Sequence, residues 1–142
     1  MGVCLVHSLD RGRESPHAAR THVRDFLRDR PGSDVLPDEL VGDVELVVSE
    51  LVTNAVLHGS GHIQLRLEVL DGVVSVGVLD GGRAPPSANG QPLAEGSEGG
   101  RGLALVAELS TEWGIRPAAN GGKEVWAVIL TTVAATAVPT NP

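Results

Sequence analysis

The sequence predicts an α/β (α+β) two-layer sandwich, with helices packed on one face of a mixed, mainly antiparallel sheet. Three observations predict it. Hydrophobic periodicity runs in the order helix, helix, strand, strand, loop, helix, strand, strand, so strands and helices come in runs rather than in alternation. Asp71-Gly72 sits between two alternating segments, as a hairpin turn does. The stretch from Asp38 to His58 is apolar on most of its circumference, which a helix lying inside the molecule requires.

Each element follows from local chemistry. Ser15-Pro16 offers a capping hydroxyl and then a proline at the first helical position, and Ala19, Val23, Phe26 and Leu27 keep the helical period until Pro31-Gly32. A second helix opens near Pro37-Asp38. It carries Leu40, Val44, Val47, Val48, Leu51, Val52, Ala55 and Val56 to His58, where Gly59 is expected to close it. Ile63, Leu65, Leu67 and Val69 alternate with Gln64, Arg66 and Glu68, and the turn leads into a second strand over Val73 to Leu79. The segment from Gly81 to Gly102 is too dense in glycine and proline for regular structure and is read as a long mobile loop. A third helix follows from about Arg101 to Leu109. Strands are then expected over Trp113–Arg116 and Val125–Thr132, with a turn at Asn120-Gly121-Gly122 and both tryptophans in the core.

Size and composition narrow the function. At 142 residues the chain fits one domain, expected over 1–133 with a frayed tail over 134–142, and a chain of this size buries roughly 68–70% of its unfolded surface without needing a staple. The single cysteine, Cys4, cannot pair internally, and the first ten residues lack the pattern of a secretion signal, so a reducing cytoplasm is expected. The uncharged C-terminal stretch from Val125 is interrupted by threonine and ended by proline, a poor membrane span. Net charge is −7 and the aromatics are Phe26, Trp113 and Trp126 alone. Nucleic acid would select a basic face with stacking rings, so neither nucleic acid nor membrane is an expected partner.

Three motifs carry chemistry. Glu50, Asn54 and His58 are four residues apart on the second helix and share a face. They form either a narrow solvated strip or a site, in which a carboxylate accepts a proton and an amide oxygen one turn on holds a hard cation such as Mg²⁺. His58 fits equally as a helix-ending residue. Asp80 ends a strand ahead of Gly81-Gly82, as a turn residue or as an acceptor for an adenine amino group, with Gly82 admitting the base. The run EGSEGGRGLALV opens a helix directly from glycines, which leaves free N–H groups and a helix dipole facing an anion. It is not a Lys-Ser/Thr phosphate loop, because the only lysine is Lys123, and no strand leads into it as a dinucleotide fingerprint requires.

Taken together, ELVTNAVLH from Glu50, VLDGG from Val78 and GGRGLALV from Gly99 resemble, in order and spacing, the N, G1 and G2 boxes of the ATPase superfamily of gyrase, Hsp90, histidine kinases and MutL. The chain is most similar to stand-alone actinobacterial anti-sigma regulatory factors that are serine/threonine protein kinases, including their WG at Trp113 and GK-VW at Lys123. The resemblance covers about residues 15 to 130 and implies the Bergerat ATP-binding fold. It implies ATP with Mg²⁺ on Asn54, adenine read by Asp80 and Gly82, and phosphates cradled by Gly100, Arg101, Gly102 and Leu103 beneath a lid. Glu50 is then the general base toward a serine or threonine of an anti-anti-sigma (STAS-type) partner, and a sigma factor and a homodimer are the further implied partners. Two departures, Ala84 ending the G1 pattern and Ala104 in the G2 box, imply a stiffer lid and weaker nucleotide binding without removing a ligand. Lys123 is either a hairpin surface charge or a group near the phosphates.

Other classes fit less well. A nucleotide-gated binding module would carry the same boxes without transferring phosphate. A detached histidine-kinase catalytic domain needs a dimerisation helix pair, for which about thirty-five residues before the second helix leave no room, so His17 and His22 are read as surface residues. A nucleotide-free domain requires all three boxes to match by coincidence.

Overall fold

In the computed structural model, the described residues are 2–29, 36–83, 100–119 and 121–130, with Gly100 and Arg101 described in backbone only. The elements are β1 (Val3–Leu9), α1 (Ser15–Asp29), α2 (Asp38–His58), β2 (Ile63–Leu70), β3 (Val73–Asp80), α3 (Gly100–Leu109), β4 (Glu112–Pro117) and β5 (Lys123–Leu130). The strands form one sheet in the order β1-β2-β3-β5-β4, and its four pairings are all antiparallel.

Strand β1 was not expected. It pairs with β2 from Val3↔Val69 to Leu9↔Ile63. Its period of two is hidden in the sequence because Cys4 and Val6 are apolar yet point outward, Val6 at 59% exposure, while the inward positions include His7. Only β2 decides which face of β1 is buried.

Helix α1 starts where expected, but Ser15 does not cap it. Its hydroxyl donates to the Asp10 main-chain oxygen at 2.6 Å and to Asp10 Oδ1 at 2.9 Å, while the Glu14 carbonyl accepts from the Ala18 N–H. The cap position therefore falls one residue earlier, and Ser15 is spent on tying the β1–α1 connection. Asp71 and Gly72 both have positive φ, 51° and 78°, the geometry of a type I′ turn, whose twist suits the β2–β3 hairpin.

The core lies between the helices and one sheet face. Ala19, Val23 and Leu27 of α1, Val44, Val48, Leu51 and Val52 of α2, and Leu103 and Val106 of α3 meet Ile63, Leu65, Leu67, Val74, Val76, Val78, Val125 and Ala127. Among the described residues no helix is long and apolar enough to cross a membrane. The opposite sheet face carries no helix among the described elements. There Glu124 bridges Arg116 at 2.9 Å and Arg66 at 3.5 Å, and the Arg116 guanidinium stands 5.2 Å from the Trp126 ring centroid. Trp126 thus lies on this face rather than in the core, because Val125 and Ala127 take the inward positions of β5; Trp113 does pack against the core. Gly77 lies beneath this cluster, where a Cβ would meet the Glu124 carboxylate and push it aside.

Candidate functional site

The candidate residues form two groups, Glu50 with the start of α3, and Asp80 with Gly59 at the end of α2 and Gly82 after β3. Asp80 ends β3 pointing inward, as Val74, Val76 and Val78 do before it, and is 2% exposed. Its Oδ1 accepts the Gly82 N–H at 2.6 Å and, more weakly, the Ser60 N–H at 3.4 Å. Its Oδ2 is buried with no hydrogen-bond partner among the described residues.

Gly59 follows α2 and packs on this carboxylate. It closes the helix as expected, but its φ of −96° is open to any residue, so backbone conformation is not what selects glycine here. The reason is room: a Cβ at position 59 would lie 2.5 Å from Asp80 Cγ and Oδ2. The same crowding explains Gly122, where a Cβ would meet the Asp80 carbonyl oxygen. Gly82 fits closely too, with a Cβ placed 2.9 Å from Asp80 Oδ1.

Along α2, Asn54 is 8% exposed and its Oδ1 is a second buried acceptor without a hydrogen-bond partner among the described residues. A buried oxygen left without a hydrogen bond costs about 1–3 kcal/mol. One turn earlier, Glu50 is half-buried and lies against the first turn of α3, where a Cβ on Gly102 would come 2.5 Å from Glu50 Oε1. His58, one turn beyond Asn54, is exposed. The solvated-strip reading therefore holds for His58 and not for Asn54.

Helix α3 begins at Gly100, so the backbones of Gly100, Arg101 and Gly102 form a helix N-terminus. The Leu103 side chain is buried in the core at 1% exposure, which leaves its main chain as the part that a ligand could meet. Gly99 and the expected lid from Ala84 onward lie outside the described residues, as does the turn residue Asn120.

Two further residues meet these groups: Lys123, whose place the sequence left open, and Arg11, which it did not single out. Lys123 is not a surface charge. It is 8% exposed, faces Asp80 directly across the β3–β5 ladder, and holds Nζ 3.9 Å from Asp80 Oδ2. Arg11 follows β1, and its guanidinium donates to the carbonyls of Ala55, Val56 and Gly59 at 2.8–2.9 Å and of Gly61 at 3.3 Å. It caps the C-terminus of α2 with a cation and fixes the Gly59–Gly61 segment, whose Ser60 also accepts the Gly81 N–H at 2.6 Å. Arg11 was legible only as one of several N-terminal arginines, because the carbonyls it reaches are some fifty residues away.

A depression of about 500 Å³ lies on the other sheet face, lined by Arg66, Arg116, Glu124 and Trp126 among others. Its carboxylate Glu124 is already matched by two arginines, and none of the candidate residues lines it.

The histidine kinase-like ATPase domain family matches residues 13–129. No curated protein matches the chain. Among solved structures it is similar to the RsbU and RsbW domains of Rv1364c from Mycobacterium tuberculosis, with 24% identity and a TM-score of 0.66 over 91% of this chain and 32% of that one. It is also similar to the blue-light activated histidine kinase EL346 of Erythrobacter litoralis, with 27% identity and a TM-score of 0.57 over 84% of this chain and 42% of that one. The histidine kinase domain of that protein gives 26% identity and a TM-score of 0.55 over 90% and 64% respectively. The chain thus spans less than two thirds of each of these proteins. With the family pattern running over most of its length and the fold shared with these structures, the chain belongs to the histidine kinase-like ATPase domain family.

Proposed function

We infer that the protein is an ATP-dependent serine/threonine kinase of the anti-sigma type that phosphorylates an anti-anti-sigma partner and so regulates transcription by partner switching. The observation that carries this reading is the pair of buried acceptors Asn54 Oδ1 and Asp80 Oδ2, which have no hydrogen-bond partner among the described residues, on a fold whose Glu50 lies against the N-terminus of α3. Asp80 suits an adenine amino group, and Asn54 with its hard oxygen suits a magnesium ion. A magnesium ion held by Asn54 would neutralise charge on the phosphates.

The chain's own groups do the rest. The backbone at Gly100, Arg101, Gly102 and Leu103 cradles the phosphates with the N–H groups of a helix start. Glu50 accepts the proton of the partner's serine or threonine hydroxyl as its oxygen bonds to the γ-phosphorus, and ADP leaves. Phosphoryl transfer is mainly positioning and charge neutralisation, for which these parts suffice. Family membership and the likeness to the RsbW-containing structure support the kinase-like ATPase class, and the resemblance of the WG at Trp113 and the GK-VW at Lys123 to anti-sigma kinases supports the choice of hydroxyl acceptor.

The test is incubation with radiolabelled ATP, Mg²⁺ and a candidate anti-anti-sigma protein, followed by mass spectrometry of both chains. Phosphoserine or phosphothreonine on the partner is expected, with Glu50→Ala lowering the rate by about 10²–10⁴-fold while ATP still binds. ATP binding with no transfer to any partner would leave a nucleotide-gated binding module. Acid-labile phosphohistidine would assign the chain to the histidine kinases.

A further inference from the structure

Asp80 and Lys123 are a buried ion pair that is not closed. Their side chains are 1% and 11% exposed, and they stand directly opposite one another on β3 and β5, on the side of the sheet that faces the helices. Yet Nζ is 3.9 Å from Oδ2, beyond hydrogen-bond reach. Withdrawing both charges from water is expensive, and only good geometry with further hydrogen bonds offsets that cost. Asp80 Oδ1 has such bonds, from the N–H groups of Gly82 and Ser60. Oδ2 has none.

An acceptor and a cationic donor held side by side without meeting are complementary to a ligand edge that presents a donor next to an acceptor. Adenine presents such an edge, with its N6 amino group beside ring-nitrogen acceptors, whereas guanine puts an acceptor oxygen where adenine has the amino group. Gly59 packs against the Asp80 carboxylate and Gly122 against its main-chain carbonyl, each so closely that a Cβ would clash.

We propose that Lys123 is a base-reading residue. Asp80 Oδ2 accepts from the adenine N6 amino group while Lys123 Nζ donates to an adjacent ring nitrogen, so that the two side chains together select adenine by direct contact. This rests on the ATP-binding reading above and adds to it a specific contact. A lysine that merely neutralised Asp80 would hold the carboxylate in place but would be blind to which ring atom is nitrogen.

The experiment is a binding cycle with ATP, 1-deaza-ATP and 7-deaza-ATP, in which one ring nitrogen at a time becomes C–H, titrated calorimetrically into wild type and Lys123→Met. One of the two analogues is expected to bind wild type about tenfold more weakly than ATP, the worth of one charge-assisted hydrogen bond, and to show no such penalty against Lys123→Met. Lys123→Arg, which keeps a cationic donor, is expected to retain the penalty. Wild type that binds ATP and both analogues equally overturns the proposal and leaves the ATP site standing, and this arm needs no variant to fold. An equal penalty in wild type and Lys123→Met overturns it too. Wild type that fails to bind ATP overturns the site reading itself, and the role of Lys123 with it.

Discussion

At the scale of single residues, the two oxygens of Asp80 have different tasks. Oδ1 is fixed by main-chain donors, and Oδ2 has no hydrogen-bond partner among the described residues. Asp80→Asn keeps the shape but turns the acceptor set into a mixed one and removes the charge, so ATP affinity is expected to fall about 10–100-fold by calorimetry, with the thermal transition little changed. Gly59→Ala tests the same site from the other side. A methyl group there would lie 2.5 Å from the Asp80 carboxylate, so it should weaken ATP binding although its φ of −96° suits alanine. Undiminished affinity in Gly59→Ala would show that the carboxylate can move without loss.

At the scale of elements, α2 does most of the positioning, because one helix presents Glu50 and Asn54 and delivers Gly59 to Asp80. Its glycines separate structure from function. Gly42 lies within α2, and a methyl group added there would have nothing within 4 Å, so Gly42→Ala should raise stability by about 0.5–1 kcal/mol through helix propensity and leave nucleotide binding unchanged. Gly102 opens α3 against Glu50, and Gly102→Ala should instead displace the Glu50 carboxylate and slow transfer more than it weakens ATP binding, measured by single-turnover kinetics. Arg11 links β1 to this machinery through the carbonyls of Ala55, Val56, Gly59 and Gly61. Arg11→Ala leaves several of these less satisfied, and a loss of roughly 1–3 kcal/mol in denaturant unfolding is expected together with weaker ATP binding. Full stability in that variant would mean that water replaces the guanidinium at no cost.

Across the whole molecule, β1 is held to the helical layer partly through His7, whose ring lies 3.8 Å from that of His22 on α1. Burial, and next the neighbouring His22, hold the His7 imidazole below its usual proton affinity. The unfolded chain therefore takes up more protons than the folded one as pH falls through 6.5, and stability present above that pH is lost below it. A lower thermal midpoint at pH 5.5 than at pH 7.5 is expected, with the difference reduced in His7→Gln; an unchanged difference would place the pH sensitivity elsewhere. Asp43 works in a separate window. Burial and then Glu39 raise its proton affinity, so its contribution favours the fold at acid pH and is lost as pH rises above 3.8.

The order of the helices and hairpins among the described elements, the turn at Asp71-Gly72, and the places of Glu50 and Asn54 on one helix and of Asp80 at a strand end were legible in the sequence. Each rests on contacts between residues close in the chain or on a period that repeats along it. The strand β1, the outward place of Trp126, the capping by Arg11 and the pairing of Lys123 with Asp80 were not. Each is settled by what lies across the fold: β2 chooses the face of β1, the β3–β5 register places Lys123 opposite Asp80, and the end of α2 supplies the carbonyls for Arg11. The sequence by itself determined which polar side chains interrupt the apolar surface of α2 and stand at the end of β3. Only the tertiary structure decided which of their atoms stay unmatched after folding, because hydrogen bonds between distant segments consume some donors and acceptors and leave Asn54 Oδ1 and Asp80 Oδ2 open.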